Sequence, residues 1–269
     1  MSGPMSGTRA VALAALVAFA ANGQTNTLTP QEKSVGWVLL FDGKSMNGWV
    51  DPRRYTPPGT AWTIEDSCLK ATSKPAIRED LFSTQTFRDF ELVFDWRISR
   101  AGNSGVKYRI QDHLFVLPRK PDEKFEASVQ RTFEQRTNRR PENGEDYVVG
   151  FEYQITDDAA NPDAKGSRTH TTGALYDMVA PSKPAARPAG EFNRSRIVLR
   201  GNRVEHWLNG VKVVDASLDA PEAMAGIRKR WSIVPAVYEM LSKQPRKDCP
   251  ISLQNHGDEA WFRDIKIHR

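Results

Sequence analysis

The sequence predicts an all-β fold, an antiparallel β-sandwich or jelly roll with short helical insertions. Many short stretches alternate apolar and polar residues, which is the pattern of strands with one buried face. Asn-Gly and Asp-Gly pairs, which favour tight hairpin turns, follow several of these stretches. Strands do not alternate regularly with helices, so a parallel α/β sheet is not predicted. These three observations together favour a sandwich or jelly roll.

Residues 1–24 are predicted to be an export signal. Arg9 supplies a positive charge, an apolar run follows from Ala10 to Ala21, and Ala18-Phe19-Ala20 has the pattern of a cleavage site. The run is too short to span a bilayer comfortably, and no later segment is long and apolar enough to do so. No lipid-anchor cysteine follows it. We therefore expect a periplasmic or secreted protein without a membrane anchor.

The remaining chain is predicted to be a polar linker at 25–35 and a single sandwich domain at 36–269. Within the domain, apolar–polar alternation and β-branched or aromatic residues predict strands at 36–41, 62–66, 68–71, 80–84, 90–98, 106–111, 150–155, 172–178, 191–200, 204–208, 211–214, 252–257 and 260–267. The Gly201-Asn202 and Asn209-Gly210 pairs predict hairpin turns between the strands of residues 191–214.

Two segments of different character are predicted to be surface insertions. Residues 113–147 are rich in Pro and charged residues, with a helix expected around 123–136. Residues 221–247 have apolar residues at helical spacing, with Pro235 as a kink or break.

The composition excludes several function classes. The 38 Lys and Arg residues exceed the 33 Asp and Glu residues only slightly, and they are spread along the chain, so no nucleic-acid partner is predicted. Cys68 and Cys249 lack metal-site spacing, and either a disulfide or two separate buried thiols fits them. The histidines form no H-E-x-x-H motif, and the chain has no G-x-S-x-G elbow and no P-loop.

Polar residues on three predicted strands are the candidate functional group. On the strand 150–155, Glu152 and Gln154 share the face opposite to Phe151, Tyr153 and Ile155. By the same alternation, Lys107, Arg109 and Gln111 share a face of the strand 106–111, and Gln254 and His256 lie together near the C-terminus. Carboxylate, amide, cation and imidazole groups on one sheet face suit hydrogen bonding and acid–base chemistry on a sugar-like ligand. A solvated outer face is the alternative.

Several ordered motifs resemble one known family. They are F-D-G-K-x-x-x-G-W at 41–49, N-S-G-V-x-Y-R at 103–109, F-E-Y-Q-I at 151–155, T-G-A-L-Y-D at 172–177, G-E-F-N at 190–193, H-W-L-N-G at 206–210, L-Q-N-H-G at 253–257 and F-R-D-I-K-I at 262–267. Together they are similar to the 3-keto-disaccharide hydrolase domain family, over nearly all of the chain after the signal. The resemblance implies a concanavalin-A-like sandwich and action on glycosides oxidised at C3.

The chemistry implied by this resemblance is elimination followed by hydration. A ketone at C3 acidifies the hydrogen on C2, so a base removes it and the oxygen on C1 leaves. Water then adds to the enone, and the net result is hydrolysis. This route needs a base, a group that stabilises the enolate oxygen, and an acid or cation near the leaving group. It does not need the two opposed carboxylates of ordinary glycosidases.

Two residues are candidates for the catalytic base. His256 is one, because imidazole titrates near neutral pH, and a hydrogen-bonded histidine in a turn is its structural alternative. Glu152 is the other, and it could instead orient a base or, with Gln154, bind a divalent cation. No cofactor is otherwise indicated. Lys107 and Arg109 are candidates to polarise the keto oxygen.

The other candidate substrate-binding residues are Asn103, Tyr176, Asp177, His206 and Gln254. For Asn103 and His206, positions next to turns make a structural role equally consistent. The predicted partner is an oligosaccharide or glycoside. A lectin-like module that binds carbohydrate without cleaving it is the main alternative, because fold does not fix function. An ordinary glycosidase acting on unoxidised sugar is a further alternative.

Overall fold

Two β-sheets packed face to face form the framework of the protein. The computed structural model describes residues 25–51, 59–135 and 144–269. In chain order the strands are β1 (Val38–Leu39), β2 (Trp49–Val50), β3 (Trp62–Glu65), β4 (Cys68–Ala71), β5 (Ile77–Arg78), β6 (Leu81–Ser83), β7 (Phe90–Ile98), β8 (Asn103–Val116), β9 (Gly144–Thr156), β10 (Asn193–Arg200), β11 (Arg203–Leu208), β12 (Val211–Ser217), β13 (Ser252–Leu253) and β14 (Ala260–His268).

The sheets differ in size. The larger sheet has the order β12-β11-β10-β7-β14-β4-β3, and β1 also pairs with β14. The smaller sheet has the order β2-β6-β13-β8-β9-β5. Among the described strand pairs, only β5 and β9 run parallel. The predicted all-β antiparallel sandwich is therefore confirmed.

The core between the sheets follows the predicted alternation on the two long strands of the smaller sheet. Val106 and Tyr108 of β8 and Phe151 and Tyr153 of β9 are completely buried. Tyr153 meets Phe94 of the larger sheet edge to face, with 5.9 Å between the ring centroids. Burying each side chain of this size contributes about 1.5–3 kcal/mol to the free energy of unfolding. Because these residues face inward, their neighbours in sequence lie on the outer face of the smaller sheet.

A bulge interrupts this alternation in β8. The register between β8 and β9 shifts between Tyr108 and Asp112, and Arg109 has a left-handed backbone with φ of 52°. Extra residues in one strand rotate the following side chains away from the regular pattern. The prediction that Lys107 and Arg109 share one face is therefore wrong.

His206 lies inside the sandwich and not on its surface. Its side chain is completely buried on β11, and the Tyr108 hydroxyl lies 2.9 Å from Nε2 while the Gly173 carbonyl oxygen lies 2.9 Å from Nδ1. Burial lowers the pKa of His206 to about 4, so the ring is neutral at physiological pH. A neutral ring donates from one nitrogen and accepts at the other, which matches both contacts. The prediction of His206 as a substrate-binding residue is not compatible with this position.

Short helices lie around the sandwich, and α2 and α5 contact the strands β8 and β9 of the smaller sheet. The helices are α1 (Pro30–Ser34), α2 (Phe125–Gln135), α3 (Pro162–Gly166), α4 (Pro221–Trp231) and α5 (Pro235–Lys243), with a 3₁₀ turn at Arg168–His170. The helix expected around 123–136 is confirmed as α2. Pro235 ends the predicted helical run and occupies the first turn of α5, where its missing N–H costs nothing. The ends of segment 113–147 belong to β8 and β9, so the insertion proper is shorter than predicted.

Residues 25–35, predicted to be a linker, pack against the sandwich. Helix α1 has a capping box in which Thr29 and Glu32 bond each other's backbone N–H groups. The Glu32 carboxylate pairs with the Lys266 ammonium of β14 at 3.1 Å, and both side chains are 7% exposed. The Asn26 side chain donates to the Ser67 carbonyl. These contacts fix the segment on the larger sheet.

Three other sequence-based expectations have simple outcomes. Cys68 and Cys249 are buried free thiols and do not form a disulfide. No helix in the described ranges is long and apolar enough to cross a membrane. The export signal at 1–24 lies outside the described residues, so secretion stays a prediction.

The buried pair between α1 and β14 is expected to contribute measurably to stability. Glu32→Leu removes the partner of a buried ammonium and one half of the capping box. We expect it to lower the free energy of unfolding by roughly 2–4 kcal/mol in urea titrations. The exposed neighbouring variant Gln31→Leu is expected to change it by less than about 0.5 kcal/mol. Equal effects of the two variants would contradict the packing role of this segment.

Candidate functional site

Glu152 and Lys107 form the centre of the candidate site on the outer face of the smaller sheet. They are directly opposite each other in the β8–β9 pairing, and the Lys107 Nζ lies 3.8 Å from the Glu152 Oε2. Lys107 is only 3% exposed, whereas Glu152 is 13% exposed. Glu152 therefore meets the surface, and Lys107 lies beneath it.

Asp80 is the second carboxylate beside Lys107. Its Oδ2 lies 4.0 Å from the Lys107 Nζ, and its side chain is 2% exposed. The backbone N–H of Asn255 donates to the Asp80 Oδ1 at 3.2 Å, and the Ser252 hydroxyl donates to the Oδ2 at 3.3 Å. Lys107 is thus a buried cation between a deeply buried carboxylate and one that reaches the surface.

Burial and mutual charge set the protonation of this cluster. Burial raises the pKa of Asp80 to about 7, against the opposing effect of Lys107. Burial also raises the pKa of Glu152, while Lys107, Arg230 and His256 oppose that rise. Burial alone would lower the pKa of Lys107, but the surrounding acidic groups, led by Glu152, raise it overall. Glu152 is therefore a stronger base than a solvated glutamate, beside a lysine that stays protonated.

The Glu152 side chain is held in place by its own sheet. The buried Gln154 amide lies between Glu152 and Asn103. With its oxygen and nitrogen assigned from the neighbouring groups, it donates to the Glu152 Oε1 and to the Ser104 carbonyl, each at 3.2 Å. Gly105 lies under the carboxylate, and a Cβ there would collide with the Glu152 Oε1. The glycine thus leaves the space that the Glu152 carboxylate occupies.

His256 and Gln254 lie beside Glu152 in the segment that follows β13. Asn255, which lies between them, donates its backbone N–H to Asp80, the carboxylate that contacts Lys107. The Gln254 N–H donates to the Gly105 carbonyl at 2.9 Å, which ties this segment to β8. Both side chains are half-buried. The structure therefore brings together five of the predicted residues: Asn103, Lys107, Glu152, Gln154 and His256, with Gln254 adjacent to them.

A narrow pocket of about 10 Å³, the space of about one water molecule, opens beside Glu152. Its walls come from β9, from the loop that follows the 3₁₀ turn Arg168–His170, and from helices α4 and α5. The lining residues are Tyr147, Gly150, Glu152, Tyr176, Asp177, Met178, Gly226, Ile227, Arg230, Trp231 and Leu241. Tyr176 and Asp177, both predicted site residues, thus border the same pocket as Glu152.

A charged network fixes the wall opposite Glu152. His170 lies between two carboxylates, with Nδ1 2.8 Å from Asp163 Oδ1 and Nε2 2.7 Å from Asp177 Oδ1. Hydrogen bonds to these two carboxylates raise the pKa of His170 to about 9, so the ring is protonated at neutral pH. The other Asp177 oxygen is 2.8 Å from the Arg230 Nη1. Tyr176 stacks on the His170 ring and donates to Asp163 at 3.0 Å.

Arg109, a predicted substrate-binding residue, lies elsewhere because of the bulge in β8. Its guanidinium donates to the Lys247 carbonyl at 2.9 Å and to the Gly201 carbonyl at 2.5 Å, and it pairs with Asp89 at 3.5 Å. These partners link β8 to the segment after α5, to the turn between β10 and β11, and to the residue before β7. Arg109 therefore has a structural role, and the prediction that it lies beside Glu152 is wrong.

Sequence reasoning missed several residues of the site. Asp80 is the first residue of the predicted strand 80–84, which was the one available signal for its position in the sheet. Asp163 and His170 lie in a polar loop, where no periodicity relates them to Glu152. Arg230 lies in a helix that was predicted to be a surface insertion. These residues come together only through tertiary packing.

The side chains around Glu152 do not fit the divalent cation considered from the sequence. Across the described ranges, no group of three His, Cys, Asp or Glu side chains is arranged to hold a metal ion. The Lys107 ammonium lies 3.8 Å from the Glu152 Oε2, and the Gln154 amide, in the orientation assigned from its neighbours, donates to the Oε1. Donors at these positions compete with a cation and do not ligate it.

The fold and the site define a class of protein. It is a β-sandwich with a partly buried carboxylate, a buried lysine and a histidine clustered on the outer face of one sheet. A family model described as the 3-keto-alpha-glucoside-1,2-lyase-like domain matches residues 36–268. The chain belongs to this family, and the resemblance seen in the sequence motifs is confirmed.

Relatives and solved structures agree with this assignment. A curated 3-keto-disaccharide hydrolase of Bacteroides thetaiotaomicron is 28% identical over 253 residues, which cover 86% of this chain and 78% of the relative. A crystal structure of a candidate glycosyl hydrolase from Parabacteroides distasonis matches with a TM-score of 0.65 at 24% identity, covering 91% of this chain and 98% of the other. A second from that organism matches with a TM-score of 0.58 at 23% identity, covering 86% and 98%. At these identities the structures show a shared fold.

The His170 network makes a testable contribution to stability. A histidine whose pKa is raised on folding stabilises the protein fully below its unfolded pKa of about 6.5 and loses this effect as pH rises through about 9. We expect His170→Asn to lower the free energy of unfolding by about 1–2 kcal/mol at pH 6, after allowing for partial exposure, and by clearly less at pH 10. His268→Asn is the control. A pH-independent difference in denaturant titrations would contradict a charged His170.

Proposed function

We propose that the protein is an exported hydrolase that cleaves 3-keto-glycosides by base-catalysed elimination followed by hydration. Family membership and the curated relative support an enzyme acting on glycosides. The observation that carries the mechanism is one basic, accessible carboxylate, Glu152, beside a buried cation, Lys107. The N-terminal signal predicted at residues 1–24 supports action outside the cytoplasm.

The site residues can be assigned to the steps of this chemistry. Glu152 takes the proton from C2, and the electrons of the C2–H bond form an enolate with its charge on the C3 oxygen. The enolate returns to a ketone as a C1=C2 double bond forms and the C1–O bond breaks. His256 donates a proton to the departing oxygen. Water then adds at C1 and a proton returns to C2, so one water molecule is consumed and no redox change occurs.

The pocket argues against double displacement at an unoxidised sugar. That route needs a second carboxylate that is free to act as nucleophile or acid. Asp177 is the other carboxylate that lines the pocket, but its Oδ1 contacts His170 and its Oδ2 contacts Arg230. Both oxygens are thus engaged. Glu152 is left as the carboxylate available for chemistry, as elimination requires.

The direct test compares two substrates with one chromogenic leaving group. We expect release from a 3-keto-glucoside and none from the corresponding unoxidised glucoside, measured with the purified mature protein. A chelator is expected to leave the rate unchanged, because the side chains around Glu152 do not suit a cation. Release from both substrates would indicate an ordinary glycosidase. Binding without release from either would favour a carbohydrate-binding module.

Glu152 is expected to be essential for turnover. Glu152→Gln should lower kcat on the 3-keto-glucoside by roughly 10²–10⁴-fold, with little change in circular dichroism. Gly105→Ala should lower kcat by on the order of 10–100-fold, since it displaces the carboxylate. Glu91→Gln on the larger sheet and Gly59→Ala in open space are the matched controls. Normal turnover of Glu152→Gln would remove this residue from the mechanism.

Varying the leaving group tests whether His256 acts as the acid or as the base. An acid matters most when the departing oxygen is a poor leaving group. We expect His256→Asn to slow release of a sugar or alkyl alcohol by roughly 10²-fold and to slow nitrophenol release only slightly. Equal losses with both leaving groups would identify His256 as the base instead.

A further inference from the structure

Arg230 is the cation that faces the pocket beside Glu152. Lys107 is 3% exposed and lies beneath the strands, whereas Arg230 is 19% exposed and lines the pocket directly. Arg230 and Glu152 line the same pocket, and the positive charge of Arg230 opposes the rise in the pKa of Glu152 that burial causes. Arg230 is therefore better placed than Lys107 to touch a substrate.

The contacts of Arg230 hold its guanidinium in one orientation. Its Nη1 pairs with Asp177 at 2.8 Å, and its Nε pairs with Glu126 of α2 at 3.3 Å. The rings of Tyr176 and Trp231 lie 5.1 and 4.8 Å from its central carbon. Nη2 takes part in neither ion pair. Two of the three guanidinium nitrogens are thus paired with carboxylates, and the Nη2 N–H groups remain for a ligand.

The backbone around Arg230 is also adapted to this position. Gly226 lies one turn before Arg230 on α4, and a Cβ there would come within 2.6 Å of the Asp177 carbonyl oxygen and 2.8 Å of the Met178 Cα. Asp177 itself has a left-handed backbone with φ of 62°. Such conformations in non-glycine residues persist where the surrounding structure enforces them, often at functional sites. The close contact brings α4, and with it Arg230, against the pocket.

The contact with His170 fixes the position of the Asp177 carboxylate, and Asp177 in turn pairs with Arg230. The protonated ring donates to Asp163 on one side and to Asp177 on the other. This arrangement leaves Asp177 ionised, and the pKa of Asp177 is lowered by His170 and Arg230 although burial opposes the shift. His170 does not line the pocket, so its influence passes through Asp177.

We propose that Arg230 is a catalytic residue that binds the C3 oxygen of the substrate and stabilises the enolate, and that His170 and Asp163 are positioning residues acting through Asp177. This inference rests on the proposed elimination chemistry. When Glu152 takes the C2 proton, negative charge develops on the C3 oxygen, and the Nη2 N–H groups donate hydrogen bonds to it. Arg230 keeps its protons throughout. The charge returns to the leaving oxygen as the C1–O bond breaks.

Enolisation can be measured apart from elimination. The probe is 3-keto-1,5-anhydroglucitol, which has the C3 ketone but no leaving group at C1, and the readout is deuterium incorporation at C2 in D₂O by NMR. We expect wild-type protein to catalyse the exchange. Arg230→Met should slow it by on the order of 10²–10³-fold, mainly through kcat, and Arg230→Lys should restore part of the loss. Lys229→Met, on the exposed side of the same helix turn, is the matched control.

The positioning role of His170 has its own readout. Exchange by the wild-type protein should decline above about pH 9, where the His170 ring loses its second proton. His170→Asn should exchange about tenfold more slowly at pH 7 and should lack this decline. The other charged or titratable groups around Arg230 and Glu152 are Asp80, Lys107, Glu126, Tyr147, Tyr176, Asp177 and His256. The pKa values of Lys107, Tyr147 and Tyr176 are raised and that of Asp177 is lowered, so these four groups titrate away from pH 9.

The outcomes separate this inference from the proposed function. If wild-type protein neither exchanges C2 hydrogen nor releases the leaving group, the elimination mechanism itself fails. If wild-type protein does both and a folded Arg230→Met exchanges at the wild-type rate, the role of Arg230 is overturned. If Arg230→Met does not fold, Arg230→Lys decides the question: a loss of tenfold or more supports the role, and a wild-type rate overturns it.

Discussion

A lysine buried between two carboxylates is the interaction on which the candidate site depends. Burying an ionised group costs roughly several kcal/mol of hydration free energy, so a buried group stays ionised only when a partner of opposite charge is close. Lys107 supplies the partner for both Asp80 and Glu152. It keeps Glu152 ionised, while the same burial makes this carboxylate more basic. The lysine is therefore a charge held under the site and not a group that the substrate reaches.

The rest of the protein places this cluster and encloses it. The long strands β8 and β9 bring Lys107 opposite Glu152, and the inward aromatic residues of the sandwich fix both strands. Short helices and loops then add a wall that a bare sheet lacks. The Asp163–His170–Asp177 network joins that wall to α4 through Arg230. Rigid strands thus hold the proposed base, and inserted segments hold the proposed oxyanion-binding group.

The sequence predicted the parts of the site that follow strand periodicity. Alternation placed Glu152, Gln154 and Lys107 on one face, because period two is fixed by backbone geometry. It failed at Arg109, where a bulge redirects the strand, a feature that no local pattern marked. His206 could have been placed correctly, since Val204, His206 and Leu208 alternate as an inward face. The contributions of Asp80, His170 and Arg230 depend on long-range packing of loops and helices, which periodicity does not describe.

The pH dependence of kcat/KM on a 3-keto-glucoside tests the central claim most directly. Its acidic limb reports ionisation of the base in the free enzyme. With Glu152 as base and Lys107 as the buried cation that opposes its protonation, Lys107→Met should move this limb to higher pH and leave the protein folded by circular dichroism. An acidic limb that stays in place, or moves to lower pH, would contradict the account.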